Sequence, residues 1–339
     1  MHFRNWVGLL SCFIILSSQA QDISQVNARK FTLQLLRVYS PEHYVLIERY
    51  QDTPSQVQLP GAIFDVGKRI DFMTHIIDTT RKELIINDIS AMLRRVSHSY
   101  THRGAYQYLA KNDLTYQVGE SYFLYYLNPK ESVFLVRKKV FPAYEIRDII
   151  PPEYRFAKYK AFIATNDQAL LPQKNGIYGL LDEWNAFYHG GLFAFEMKEF
   201  YEREGYENVK NWEHYFANYY EYHVTYWEWK YYILSYLKYT KYKYPSLYKQ
   251  LREDAALRQA YQKINQYFGA LIATFNKYKP LVLDLLKTHG ISIEEERIED
   301  FDLLFLDKVG IQTHQQRSVL LQKALQQKDL RTIEKEFSR

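Results

Sequence analysis

The spacing of apolar residues predicts that the second half of the chain is almost wholly helical. Apolar positions recur there at intervals of three and four residues, which places them on one face of a helix. The pattern predicts helices at 177–204, 212–244, 245–278, 281–289 and 313–338. Two of these boundaries are set by Pro245 and Pro280, because proline interrupts the backbone hydrogen bonds of a helix. The helix at 212–244 carries aromatic side chains on more than one face, so we expect it to be central to the fold.

The first half of the chain mixes strand and helix patterns. Apolar runs bounded by turn residues predict strands at 31–38, 44–47, 121–127 and 132–136. The first two strands are divided by Ser40-Pro41, and the last two form a hairpin around Asn128-Pro129-Lys130. Helical spacing predicts helices at 82–111 and 154–165.

Together these elements predict an α+β, mainly helical fold. A small N-terminal and central β region, within residues 21–176, is expected to pack on the helix at 82–111. Residues 177–339 are expected to form a helical C-terminal region.

The chain begins with the pattern of a secretory signal peptide. Arg4 supplies a positive start, Trp6 to Leu16 form an apolar run, and Ser18-Gln19-Ala20 is a small-x-small cleavage site. We therefore expect residues 1–20 to be removed and the mature protein to be exported to the periplasm or the extracellular space. The apolar run is too short to predict a membrane span. Lipoprotein anchoring through Cys12 is the weaker alternative, because the apolar run continues beyond it.

Composition narrows the classes of function further. The 339 residues include 32 Tyr, 20 Phe and 5 Trp, and the single cysteine lies in the predicted leader, so we expect neither a disulfide nor a thiol nucleophile in the mature chain. The net charge of +5 is spread along the sequence without a basic block, which argues against nucleic-acid binding. The sequence has no Gly-rich phosphate loop and no Gly-x-Ser-x-Gly motif.

A pair of histidines is the first candidate for chemistry. His98 and His102 are four residues apart on the helix predicted at 82–111, so their rings lie on one face and are able to share a zinc ion. In the protease motif His-Glu-x-x-His, the residue after the first His is the general base, and Ser99 occupies that position here. The alternative is two partly exposed histidines without a ligand.

The stretch 179–189 contains a candidate for a third zinc ligand beside the histidine pair. It fits the shape Gly-Leu-x-Glu-x-x-Ala-x-Tyr loosely, with one extra residue before Glu183. Together with the histidine pair it makes residues 82–204 resemble the metal-binding core of a gluzincin-type zinc metallopeptidase. The resemblance implies that His98, His102 and Glu183 hold one Zn²⁺, with Asp182 as the rival carboxylate. A surface carboxylate is the alternative for Glu183.

The resemblance also sets the functional expectation. Ser99 cannot take a proton from metal-bound water as a carboxylate does, so catalysis is expected to be weak or lost. In such enzymes a later Tyr or His assists the developing oxyanion, and His223 is the candidate. The sequence thus predicts an exported, zincin-like, metallopeptidase-related protein that binds zinc and takes a peptide or protein ligand. The alternative is a non-catalytic helical binding or scaffold protein of the cell envelope, and the sequence leaves the oligomeric state open.

Overall fold

The computed structural model describes residues 25–298 and 301–338. The predicted signal peptide, its cleavage site and Cys12 lie outside the described residues. The first half contains α1 (Gln25–Tyr39), α2 (Pro41–Gln51), β1 (Gln56–Leu59), β2 (Ala62–Asp65), α3 (Lys82–Lys111), β3 (Tyr122–Asn128) and β4 (Glu131–Val136). The second half contains α4 (Leu171–Asn175), α5 (Ile177–Glu204), α6 (Val209–Lys243), α7 (Pro245–Glu253), α8 (Ala255–Thr288), β5 (Ile293–Ile298), β6 (Phe301–Leu306), β7 (Val309–Gln312), α9 (Gln315–Leu325) and α10 (Lys328–Phe337). The predicted α+β, mainly helical fold is confirmed.

Helix α5 lies at the centre of the molecule. Every residue from 177 to 191 is buried, so this part of the helix has no solvent-facing side. It packs against α3 on one side and against α6 and α8 on the others. A helix that is enclosed all round must satisfy its polar side chains internally, and α5 carries several of them. This requirement places ionisable groups inside the protein.

Helix α6 confirms the expected aromatic core. Its seam of aromatic residues is buried, and Trp229 is 0% exposed. The ring of Trp229 contacts Phe162 and Phe187 at centroid separations of 5.2 and 6.0 Å. The aromatic content of the sequence is therefore used mainly for helix packing.

The hairpin of β3 and β4 lies on α3, as predicted. The two strands are antiparallel, with Tyr122 opposite Val136 and Tyr126 opposite Ser132. The register shifts between Tyr126 and Asn128, which interrupts the ladder at that point. Such an irregularity leaves backbone groups free to bond elsewhere, and the carbonyl of Tyr126 is one of them.

The two strands predicted at 31–38 and 44–47 are wrong, because both segments are helical, in α1 and α2. Their apolar runs are short enough to fit either element. Ser40-Pro41 marks the start of a helix and not a turn between strands. Ser40 is the N-cap residue of α2, and Pro41 is its first residue. Proline at the first helical position is favoured, since that residue has no hydrogen-bond partner for an N–H.

The C-terminal part differs from the prediction in three respects. The helix predicted at 245–278 is divided at Asp254 into α7 and α8. Pro280 lies inside α8, where Val282 and Leu286 beyond it are buried in the core and hold the helix in place. The sheet β5–β6–β7 was not predicted; its strands are antiparallel neighbours in sequence order.

The α-helix predicted at 154–165 is wrong. The structure forms a 3₁₀ turn at Pro152–Tyr154 and a π turn at Tyr159–Ile163 instead.

Within residues 25–298 and 301–338, no helix has the length and apolar character needed to cross a membrane.

Candidate functional site

His98 on α3 meets two neighbouring carboxylates of α5. Its Nδ1 lies 3.0 Å from Oδ2 of Asp182, and its Nε2 lies 3.4 Å from Oε2 of Glu183. The second oxygen of Asp182 accepts a hydrogen bond of 2.8 Å from the hydroxyl of Thr101. The Asp182 side chain is fully buried and that of His98 is 22% exposed. The sequence predicted the contact with Glu183 and kept Asp182 as a rival; in the structure the two carboxylates take opposite sides of one ring.

The charges of this group favour an imidazolium. Burial opposes protonation of His98, but Glu183 and Asp182 outweigh it and raise the pKa of the ring to about 10. A protonated ring donates from both nitrogens, which is what two carboxylates on opposite sides require. The proton therefore joins α3 to α5 through an Asp–His–Glu ion cluster.

His102 lies one turn further along α3 but has different neighbours. Its ring packs on Phe123 of β3 at a centroid separation of 4.8 Å. Burial lowers its pKa; Asp182 opposes this, while His98, Lys174 and Arg137 add to it. A neutral ring among cations is poorly placed to receive a further cation.

Ser99 and His223 lie among other side chains. Ser99 contacts the Tyr50 side chain of α2, and this hydrogen bond lowers the pKa of Tyr50 against the larger effect of burial, which raises it. His223 Nδ1 lies 3.0 Å from Oγ of Ser318 on α9, and burial lowers its pKa to about 4. The structure thus brings together two of the five predicted site residues, His98 and Glu183.

These placements allow a test of whether the side chains fit a zinc ion. Among residues 25–298 and 301–338, no three His, Cys, Asp or Glu side chains are arranged to hold a metal ion. His98 and Glu183 supply two donors in contact, and Asp182 is placed to orient the imidazole from its other nitrogen. The ring of His102, which was predicted to add the third donor, packs on Phe123 instead. The described side chains do not fit the three-ligand centre that the resemblance implies.

A second polar cluster lies where α2 meets α5, and the sequence reasoning missed it. Ser40 Oγ lies 2.5 Å from His43 Nδ1 and also contacts Glu196 Oε2. His43 Nε2 lies 3.3 Å from His189 Nδ1, and His189 Nε2 lies 2.8 Å from the carbonyl oxygen of Tyr126. Ser40, His43 and His189 are buried. The available signal was spacing: Asp182, His189 and Glu196 recur every seven residues on α5, which places them on one face.

This second cluster does not have the geometry of a hydrolase. In a Ser–His–acid triad, the serine and the acid lie at opposite nitrogens of the ring. Here Ser40 and Glu196 lie at the same nitrogen of His43, with Glu196 Oε2 3.6 Å away. Ser40 is 0% exposed, so a substrate has no access to its hydroxyl.

A cleft of about 570 Å³ opens where α3 and α6 begin. Its wall includes both N-cap residues, Arg81 and Asn208, and neither makes a side-chain capping bond. The first N–H groups of a helix have no partner within the helix and carry a partial positive charge. Tyr201 of α5 is 2% exposed and also lines the cleft. The volume lies in the range of small-molecule sites.

A second cleft of about 850 Å³, between β4 and α8, has several of its polar groups already paired. Lys138 contacts Asp254 at 3.4 Å and the carbonyl of Gln250 at 2.9 Å. Arg137 bonds to Asn175 at 2.7 Å. Internal pairing leaves fewer groups for a ligand here than in the cleft of α3 and α6.

Comparison with known proteins identified no relative of this chain. No protein-family model matches the chain, no curated protein matches it, and no solved structure matches it. The functional argument therefore rests on the geometry of the side chains.

Proposed function

We propose that this protein is a non-catalytic helical binding protein, and that its ligand site is the cleft where α3 and α6 begin. The observation that carries the proposal is the placement of two cations, Arg81 and Lys210, on the wall of this cleft beside the buried Tyr201. A hydrogen bond to a charged group contributes about 1.5–3 kcal/mol, so an anionic ligand held by these side chains is stabilised in the cleft.

The charges around the cleft favour a small ligand with an acidic group. Arg81 and Lys210 supply side-chain cations, and the uncapped start of α3 adds N–H donors. Glu83 and Glu213 also line the wall and are able to accept hydrogen bonds from hydroxyl or amino groups on the same ligand. A phosphate, sulfate or carboxylate carried on a polar molecule matches this mixture.

The residues predicted to form a peptidase site, His98 and Ser99, also support a non-catalytic function. Both nitrogens of His98 face carboxylates, and Ser99 lies beside Tyr50. In that arrangement His98 serves to hold α3 against α5. Export, predicted from the first twenty residues, belongs to the same proposal: a binding protein of the cell envelope.

Calorimetric titration with inorganic phosphate and with acetate tests the ligand class. We expect binding that weakens about tenfold or more when Arg81→Ala removes one charge-assisted contact. Tyr201→Phe removes only the hydroxyl and is expected to weaken binding while the fold persists. Lys138→Ala in the other cleft is the matched control and should leave binding unchanged. Binding that is insensitive to Arg81→Ala and Tyr201→Phe would place the ligand elsewhere.

A second candidate is a zinc-binding, non-hydrolytic relative of gluzincins. It is favoured by one observation: the gap of 3.4 Å between His98 Nε2 and Glu183 Oε2 is close to the separation of two ligands on a tetrahedral zinc ion, with Asp182 orienting the ring. Zinc would have to displace the proton of His98 and recruit a further donor. Metal analysis after dialysis against Zn²⁺ separates the two candidates, since His98→Gln should abolish stoichiometric zinc and leave phosphate binding intact.

A further inference from the structure

The cluster at the joint of α2 and α5 is an unbroken chain of hydrogen bonds. It runs from Glu196 through Ser40, His43 and His189 to the carbonyl oxygen of Tyr126. The Glu196 side chain is 20% exposed and the two histidines are buried. One end of the chain therefore reaches solvent, and the other ends on the backbone of β3.

The carbonyl end fixes the direction of every bond. A carbonyl oxygen only accepts, so Nε2 of His189 must carry the hydrogen. In a neutral His189 the other nitrogen is then an acceptor, and His43 donates to it from Nε2. By the same rule Nδ1 of His43 is an acceptor and takes the single hydrogen of Ser40.

This direction leaves Ser40 without a hydrogen for Glu196. The contact between Ser40 and Glu196 is satisfied only if the carboxyl group is protonated and donates to the hydroxyl oxygen. If Glu196 is ionised, Ser40 turns its hydrogen to the carboxylate, and Nδ1 of His43 needs a proton of its own. In both cases the complete network holds one proton more than the network with an ionised Glu196 and two neutral histidines.

We propose that Glu196, Ser40, His43 and His189 form a buried site for one proton, and that loss of this proton loosens the joint between α2 and α5. The protonated form makes every hydrogen bond of the chain. The deprotonated form leaves a buried acceptor on His43 unpaired, which favours separation of α2 from α5 and entry of water. We call these four residues, Glu196, Ser40, His43 and His189, the latch. It responds to pH and is independent of the cleft of α3 and α6.

The groups packed around the latch support retention of the proton on Glu196. Burial raises the pKa of Glu196 to about 7, and Ser40 lowers it only in the arrangement in which its hydroxyl donates to the carboxylate. Burial lowers the pKa values of His43 and His189 to about 3, and His43 adds to the effect on His189. The other titratable groups that face this region are Glu42 of α2 and Tyr188 of α5, whose pKa values are both raised, first by burial.

Cations do not compensate Glu196 directly. Arg49 of α2 lies over the ring of Tyr126, 5.5 Å from its centroid, and donates to the carbonyl of Pro129. The hydroxyl of Tyr126 donates to the backbone oxygen of Glu42. Glu42 and Glu196 repel each other when both are ionised, which disfavours two carboxylates in this region.

Substitution of Glu196 by glutamine distinguishes the effect of the proton from the effect of the side chain's shape. The amide of Glu196→Gln donates permanently to Ser40, so this variant imitates the protonated latch at every pH. We expect the folding equilibrium constant of the wild type to fall relative to that of Glu196→Gln by up to about tenfold per pH unit between about pH 4.5 and 7, the ordinary and the raised pKa of the carboxyl. Glu199→Gln, at an exposed ion pair one turn away, is the matched control and should follow the wild type.

Two measurements decide the proposal. Denaturant unfolding of the full chain across this pH range compares wild type, Glu196→Gln and Glu199→Gln. If the free energy of unfolding of wild type and of Glu196→Gln changes equally with pH, the proposal is overturned. Nitrogen-15 NMR of the histidine rings in the wild type needs no variant. We expect His43 and His189 to stay neutral, with hydrogen on Nε2, from about pH 5 to 8. A titration of either ring near its ordinary pKa would contradict the directed chain.

Discussion

Replacement of His98 by glutamine is the substitution with the clearest expected energetic effect. In the folded protein the pKa of His98 is raised from 6.5 to about 10, and each pKa unit corresponds to about 1.4 kcal/mol. The shift sets an upper limit of about 5 kcal/mol, and breaking a buried ion pair costs roughly 3–5 kcal/mol. We expect His98→Gln to lower the free energy of unfolding by about 3–5 kcal/mol near pH 6, because Asp182 and Glu183 lose their shared cation.

The pH dependence provides the sharper test. A group whose pKa is raised on folding contributes its full stability below its ordinary pKa and loses it as pH rises through the folded value. The wild type should therefore lose this contribution between pH 6.5 and about 10, while His98→Gln should not. His102→Gln, one turn along the same helix, is the matched control and should retain the wild-type slope. Urea unfolding at several pH values measures all three, and equal slopes for wild type and His98→Gln would refute the ion cluster.

Three further predictions follow from other parts of the chain. Trp229→Ala should lower stability by about 3–5 kcal/mol in a thermal or urea melt, because its ring is 0% exposed and a large cavity would remain; an unchanged melt would remove the ring from the core. Ser99→Glu should not produce peptidase activity against a mixed peptide library, because this position lies beside Tyr50; zinc-dependent cleavage by that variant would contradict the placement. The mature protein should begin at Gln21, which N-terminal sequencing of the secreted or periplasmic fraction checks; an intact Met1 would exclude cleavage.

Long periodic segments were predictable from the sequence. The helices at 82–111 and 177–204 have the bounds that their apolar spacing indicates, since burial against the core imposes that spacing. The hairpin at β3 and β4 was also predictable, because a turn rich in Asn and Pro separates two apolar runs. The strands predicted at 31–38 and 44–47 failed because short apolar runs do not distinguish a strand from a buried helix.

The site was predictable only in part. Spacing on α3 and the stretch around Glu183 identified His98 and Glu183, which the structure brings together. Spacing cannot give the direction of a side chain relative to other elements, so it could not place His102 on Phe123 or assign Asp182 to the opposite nitrogen of His98. His43 was missed because its partner His189 lies 146 residues away on α5, and only the tertiary fold brings the two rings together.

The central claim is that His98 and Glu183, which the sequence predicts as metal ligands, instead form a proton-bridged contact with Asp182, and we propose that the protein binds its ligand in the cleft of α3 and α6. Metal analysis of purified wild-type protein, dialysed against Zn²⁺ and then against metal-free buffer, tests it most directly. The account predicts no stoichiometric zinc, with His98 holding a proton between Asp182 and Glu183. About one zinc per chain, lost in both His98→Gln and Glu183→Gln, would contradict it.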